Sequence, residues 1–155
     1  MNRIQSGIHP MMKQRRVLAV FLALATPGMA AAQAAQTAIL YKNPQCECCD
    51  AYAKVLERSG IPVTVKATST LTALKREHGV PGPLQGCHTL LIDGYVVEGH
   101  VPVTQVKRLL TERPAIKGIS LPGMPAGSPG MDGVKAEPFT IYEIGEGEPK
   151  IFARE

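Results

Sequence analysis

Ala38-Ile39-Leu40-Tyr41-Lys42-Asn43-Pro44-Gln45-Cys46-Glu47-Cys48-Cys49-Asp50 decides the reading of this chain, because it places three of the four cysteines at one turn. Ala38–Lys42 reads as a short buried strand and Asn43-Pro44 as a turn. Ala51, Tyr52, Val55 and Leu56 then recur at helical spacing, which predicts a helix from about Cys46 to Arg58. Ser59-Gly60 is its stop. The cysteines therefore fall in the first turn of a helix. Free backbone N–H groups and the positive end of the helix dipole favour thiolate there. Thiolate is the form that binds soft metals and attacks disulfides.

Downstream, Val63–Lys66 reads as a second strand. Thr68, Ser69 or Thr70 starts a second helix with Leu71, Leu74 and His78 on one face and Gly79 as its stop. A stiff Gly/Pro loop, residues 80–86, delivers Cys87-His88 to a third strand, Thr89–Ile92. Asp93-Gly94 is a two-residue hairpin signal leading to a fourth strand, Tyr95–Glu98. Pro102 opens a helix with Val103, Val106, Leu109 and Leu110 as its buried stripe, ended by Arg113-Pro114. Residues 115–135 shift to Gly and Pro and read as an ordered loop or wrapping arm without regular structure. Phe139–Ile144 and Lys150–Ala153 form a terminal β-hairpin.

The order β-α-β-α-β-β-α is α/β, in the thioredoxin-like or glutaredoxin arrangement, with a Gly/Pro-rich C-terminal arm. The first two strands are expected to be parallel. The boundaries expected are 1–32 for an export signal, 38–113 for the thioredoxin-like core, and 114–155 for the arm and hairpin on the same domain.

The signal rests on a basic stretch, Met11–Arg16, and an apolar run of ten residues, Val17–Thr26. Pro27-Gly28 and the small residues Ala30-Ala31-Ala32 follow. The general secretory route fits better than the twin-arginine route, and the run is too short to span a bilayer comfortably. An uncleaved anchor is the alternative. Removing residues 1–32 takes away Arg3, Lys13, Arg15 and Arg16, leaving 13 basic residues against 13 acidic. The basic pI of about 9.0 belongs to the leader and does not point to nucleic acid. The expected location is periplasmic, with no membrane span after cleavage.

Four cysteines in an exported chain suggest two disulfides first. The spacing resists that, since Cys48-Cys49 and Cys46/Cys48 are awkward pairs. Cys46 and Cys49 instead form a Cys-x-x-Cys frame, the redox device of thioredoxin-like proteins. Cys87 occupies the place usually held there by a cis-proline against the dithiol. The layout thus returns Cys87 to Cys46, Cys48 and Cys49, a soft-metal site suited to Cu(I), with Zn(II) as rival.

His88, His100, Met124 and Met131 are further ligand candidates. Their ordinary readings are a polar strand start, a solvated loop histidine, and loop methionines covering core. His78 suits a helix C-terminus, and Glu47 and Asp50 suit a helix N-terminus while raising nearby thiol pKa values slightly. Tyr41 and Tyr52 read as core.

Tyr41-Lys42-Asn43-Pro44 with Cys46-x-Cys48-Cys49, Gly86-Cys87-His88-Thr89, Val96-x-Glu98-Gly99-His100-Val101-Pro102, and the arm Leu121–Met131 resemble the CopG-type periplasmic copper proteins. That family was long labelled as of unknown function. The resemblance covers nearly all of the mature chain. It implies a thioredoxin-like fold whose clustered cysteines bind copper, and a part in copper resistance. It leaves room for redox cycling of copper or thiols.

Three functions follow as expectations. The first is an exported protein holding Cu(I) in a Cys46/Cys48/Cys49/Cys87 thiolate cluster, exchanging it with another periplasmic copper carrier or exporter. The second is a thiol-disulfide oxidoreductase with Cys46 as nucleophile and Cys49 as resolving thiol. The third is a disulfide-stapled domain with no further role.

Overall fold

The structure is a computed structural model, described here for residues 38–155. Its elements are β1 (Ala38–Lys42), α1 (Glu47–Arg58), β2 (Val63–Ala67), α2 (Leu71–Glu77), β3 (His88–Ile92), β4 (Tyr95–Gly99), α3 (Val103–Glu112), β5 (Gly118–Leu121), β6 (Thr140–Ile144) and β7 (Ile151–Arg154). The seven strands make one mixed sheet in the order β2-β1-β3-β4-β5-β6-β7. β1 pairs in parallel with β2 and antiparallel with β3, and β4 pairs in parallel with β5.

Local chemistry explains most of these boundaries. α1 buries Cys49, Tyr52, Ala53 and Leu56, an i, i+3, i+4, i+7 stripe laid on the sheet. It ends where Gly60 takes φ +85°. Gly60 N–H then reaches Glu57 O at 3.0 Å and Ile61 N–H reaches Leu56 O at 3.0 Å, satisfying two terminal carbonyls. Asp93 and Gly94 both have positive φ, 49° and 82°, as a two-residue hairpin between right-twisted strands requires.

The arm departs from expectation. Residues 118–121 are a strand, β5, wedged between β4 and β6 with all four residues buried. A strand covered on both faces shows no polar–apolar alternation, and a strand of four residues gives little pattern to read. Gly118 is the telling residue, because a Cβ there would collide with the backbone carbonyl of Val96. The α2 stripe also differs, since its buried residues are Leu71 and Lys75, with Leu74 and His78 only half-buried. The anticipated leader, 1–32, lies outside the described residues. Among the described residues no helix is long and apolar enough to cross a membrane.

Candidate metal centre

Topology brings the chemistry to one end of the sheet. β3 runs antiparallel to β1 in a register that sets His88 opposite Lys42. The residue before β3, Cys87, therefore arrives beside the β1–α1 turn that carries Cys46, Cys48 and Cys49. One sulfur from each of the four cysteines lies within 4.8 Å of all the others. Cys46 Sγ is 3.4 Å from Cys48 Sγ, and Cys49 Sγ is 3.6 Å from Cys87 Sγ. Cys49 is fully buried, and the other three are half-buried.

Cys46 and Cys49 are joined as a disulfide across 5.4 Å between their Cα atoms. Cys48 and Cys87 are free. In this state two of the four sulfurs are not thiolate donors, so a four-thiolate site requires the reduced chain. Burial, and then the neighbouring Cys48, push the Cys87 thiol up to about 12. Without a cation Cys87 keeps its proton, and a soft metal would have to displace it.

The turn is fixed from below by Lys42, which is almost wholly buried. Its Nζ donates to Asp50 Oδ2 at 2.8 Å, Cys46 O at 3.1 Å and Pro44 O at 3.3 Å. Asp50 is thus tied down by a cation rather than serving the helix end alone.

His88 and His100 both reach this end of the sheet, and both are fully buried. The solvated-loop reading of His100 is therefore corrected: Gly99 turns with φ +73° and drives the next residue inward. Cys87 Sγ lies 3.0 Å from His100 Nε2 and 3.4 Å from His88 Nδ1. The imidazoles pack on Tyr52, with ring centroids 4.7 and 5.3 Å from it. Tyr52 is core, as expected, and donates its hydroxyl to Val101 O at 2.8 Å. His100 Nδ1 meets Pro129 O at 2.7 Å, so the arm closes over this histidine. At Gly130, φ +81°, the arm passes so near α1 that a Cβ would come within 2.6 Å of Tyr52 N. Met131 follows that contact and is half-buried, whereas Met124 is 43% exposed.

Beneath Cys87 lies a network that sequence reasoning missed. Lys75 and Glu98 form an ion pair with side chains 5% and 0% exposed. Glu98 Oε1 also accepts Gly86 N–H at 2.7 Å, and Oε2 accepts the Thr89 hydroxyl at 2.8 Å. Lys75 Nζ reaches Thr89 Oγ1 at 3.1 Å and His88 O at 3.4 Å. Burial raises the Glu98 carboxyl, and Lys75 pulls it back. The only sequence signal was a Lys within an otherwise apolar face of α2.

Burial holds both imidazoles below their ordinary range, His88 the more strongly. In the metal-free chain they stay neutral at a pH where unfolded histidines take up protons. Below about pH 6.5 the unfolded state binds more protons, so stability falls as pH falls. Urea midpoints at about pH 7.5 and about pH 5.5 bracket this window above ordinary carboxylate titration. The expected result is a clearly lower midpoint at the acidic end, and equal midpoints would contradict neutral burial.

A mixed α/β sheet with four cysteines converging on one end, two of them disulfide-bonded, defines a cysteine-cluster protein of metal or thiol chemistry. Comparison with known proteins narrows the class. Residues 84–131 match the family model described as "Protein of unknown function, DUF411". A solved structure titled copper resistance protein CopG, form 2, is 34% identical with a TM-score of 0.72, over 79% of this chain and 99% of that one. Form 1 of the same title is 35% identical with a TM-score of 0.71, over 77% and 96%. No curated protein matches the chain. The chain belongs to the CopG-type family.

Proposed function

We infer that this is an exported protein that takes Cu(I) as cargo in a thiolate cluster of Cys46, Cys48, Cys49 and Cys87, within copper resistance or homeostasis. The observation that carries the reading is the convergence of all four sulfurs within 4.8 Å. Soft thiolates select Cu(I), and Zn(II) is the rival ion. The titles of the similar structures name copper resistance, which favours copper. His88 and His100, and less directly Met124 and Met131, are further ligands in this reading. The strand order β2-β1-β3-β4, with α1 crossing between the parallel β1 and β2, supports a thioredoxin-like core over 38–113. The pairing of β5 with β4 supports taking 114–155 as part of the same domain. Residues 1–32 act as the export signal to the periplasm, where another copper carrier or exporter would receive the ion.

The Cys46–Cys49 disulfide favours a second reading, a thiol-disulfide oxidoreductase. In its reduced form the half-buried Cys46 would attack a substrate disulfide. Cys49 would then resolve the mixed disulfide, releasing the substrate as a dithiol and closing Cys46–Cys49.

Anaerobic titration of the reduced chain, residues 33–155, with Cu(I) against a chromophoric chelator tests the leading reading, with Zn(II) run in parallel. Saturable Cu(I) uptake that outcompetes Zn(II) is the expected result. Absence of tight uptake of either ion would overturn it and leave the dithiol chemistry.

A further inference from the structure

We propose that Glu98 is a positioning residue for Cys87: together with Lys75 it fixes the peptide units on both sides of that cysteine and so sets where its sulfur stands. This rests on the cluster reading for the role of Cys87 as a ligand. It goes beyond that reading by naming what holds the loop before β3 in place.

Packing alone gives no reason for the pair. Lys75 lies on α2 and Glu98 on β4, and both side chains are almost wholly buried. Replacing a buried ion pair by apolar residues of the same volume is often neutral or stabilising, because desolvation offsets the attraction. Two apolar side chains could fill the space between α2 and the sheet. They could not hold a backbone N–H.

The hydrogen bonds that leave the pair go to Gly86, His88 and Thr89, the residues that flank Cys87. Glu98 Oε1 accepts Gly86 N–H at 2.7 Å, and Oε2 accepts the Thr89 hydroxyl at 2.8 Å. Lys75 Nζ donates to Thr89 Oγ1 at 3.1 Å and to His88 O at 3.4 Å. With the ion pair itself, the three ammonium protons and both carboxylate oxygens are all used. A buried network satisfied this fully is rigid.

Glu98 stands opposite Thr89 in the antiparallel β3–β4 pair. The clamp therefore begins inside the sheet and reaches the loop through one bond, that of Gly86 N–H. Gly86 is also pressed against the end of β4, where a Cβ on it would come within 2.7 Å of Gly99 Cα. Cys87 lies between the clamped Gly86 and His88, with its Sγ 3.6 Å from Cys49 Sγ. A ligand has to be held to within about 0.5 Å by its supporting hydrogen bonds, and this network supplies them.

Two double variants of residues 33–155 separate placement from charge and from folding. Both lose the buried charges. Lys75→Met with Glu98→Gln keeps an acceptor for Gly86 N–H, whereas Lys75→Met with Glu98→Leu does not. Thermal unfolding shows whether each folds. The reduced proteins are titrated with Cu(I) against a chromophoric chelator. The Glu98→Gln pair should match the unsubstituted chain within about threefold, and the Glu98→Leu pair should bind about tenfold more weakly or worse, as for loss of a residue that supports a ligand.

A second readout needs no metal. In the disulfide form Cys48 and Cys87 are the free thiols, so Cys48→Ser leaves Cys87 as the target of iodoacetamide. Cys87 should be alkylated several-fold faster in the Glu98→Leu pair than in the Glu98→Gln pair, Lys75 being absent from both. Equal Cu(I) affinities or equal alkylation rates in the two pairs would overturn the positioning role. If the Glu98→Leu pair does not fold, the Glu98→Gln pair decides alone. Parent-like affinity and alkylation there support the role, and a tenfold loss of affinity or several-fold faster alkylation overturns it. Absence of Cu(I) uptake by the unsubstituted chain counts against the cluster, and the alkylation rates still decide the placement of Cys87.

Discussion

Cys87→Ser is expected to lower the Cu(I) affinity of the reduced chain on the order of a hundredfold or more. Loss of a residue that merely supports a ligand costs about 10–100-fold, so loss of a ligand should reach at least the upper end. Cys87 is the only one of the four sulfurs contributed by the loop before β3, and it lies 3.6 Å from Cys49 Sγ. Without it the remaining thiolates all come from one turn, and the side of the site facing β3 has no sulfur. The Cys46–Cys49 pair, by contrast, keeps both its members. The variant should still form that disulfide and still exchange it with a small dithiol. Competition titration and measurement of the reduction potential separate the two properties. Unchanged Cu(I) stoichiometry and affinity in Cys87→Ser would remove the four-thiolate cluster and leave the oxidoreductase reading standing.

The second large effect lies below the metal centre. Glu98→Ala leaves the Lys75 ammonium buried without its counter-charge and strips the acceptor from Gly86 N–H and the Thr89 hydroxyl. Breaking a buried pair by removing one partner costs about 3–5 kcal/mol. For a domain of this size that is a fall in Tm of roughly 10–20 °C. Replacing both partners, as Lys75→Met with Glu98→Leu, removes the orphaned charge and should recover much of the loss. It cannot recover all, since Gly86 N–H still lacks an acceptor, worth about 1–3 kcal/mol. Thermal unfolding of the three proteins checks the order. A Glu98→Ala variant melting with the parent would mean that the pair contributes nothing net. Because the network grips Gly86, His88 and Thr89 on both sides of Cys87, a destabilised variant is also expected to bind metal less uniformly.

The elements that carry the cysteines were readable because their signals are local. β1 needs only the run Ala38–Lys42, α1 needs a stripe and Gly60, and the β3–β4 hairpin needs Asp93-Gly94. The return of Cys87 to the cluster was also legible, since it follows from strand order. What was hidden depends on residues distant in sequence. β5 owes its place to the close fit of Gly118 against Val96, which no window of four residues reveals. Lys75 drew no reading from the sequence because its partner, Glu98, lies on another element. His100 looked exposed because its cover, Pro129, comes from the arm. The cysteine spacing singled out Cys46 and Cys49 as a redox frame, but their joined state belongs to the folded structure.

The arm is tied into the sheet at both ends. β5 closes at Leu121, β6 opens at Thr140, and the two strands are hydrogen-bonded neighbours. Between them, residues 122–139 form a closed strap pinned midway at Pro129. A protease that cuts this strap once frees no fragment, because each stub remains held by its own strand. The nicked chain should travel as one particle under native conditions and part into two pieces only on denaturation. Passage of an ion beneath the strap then calls for local slackening at Pro129–Gly130 rather than departure of the segment. Held by a strand at each end and by Pro129 midway, the strap has its reach set by its own anchors.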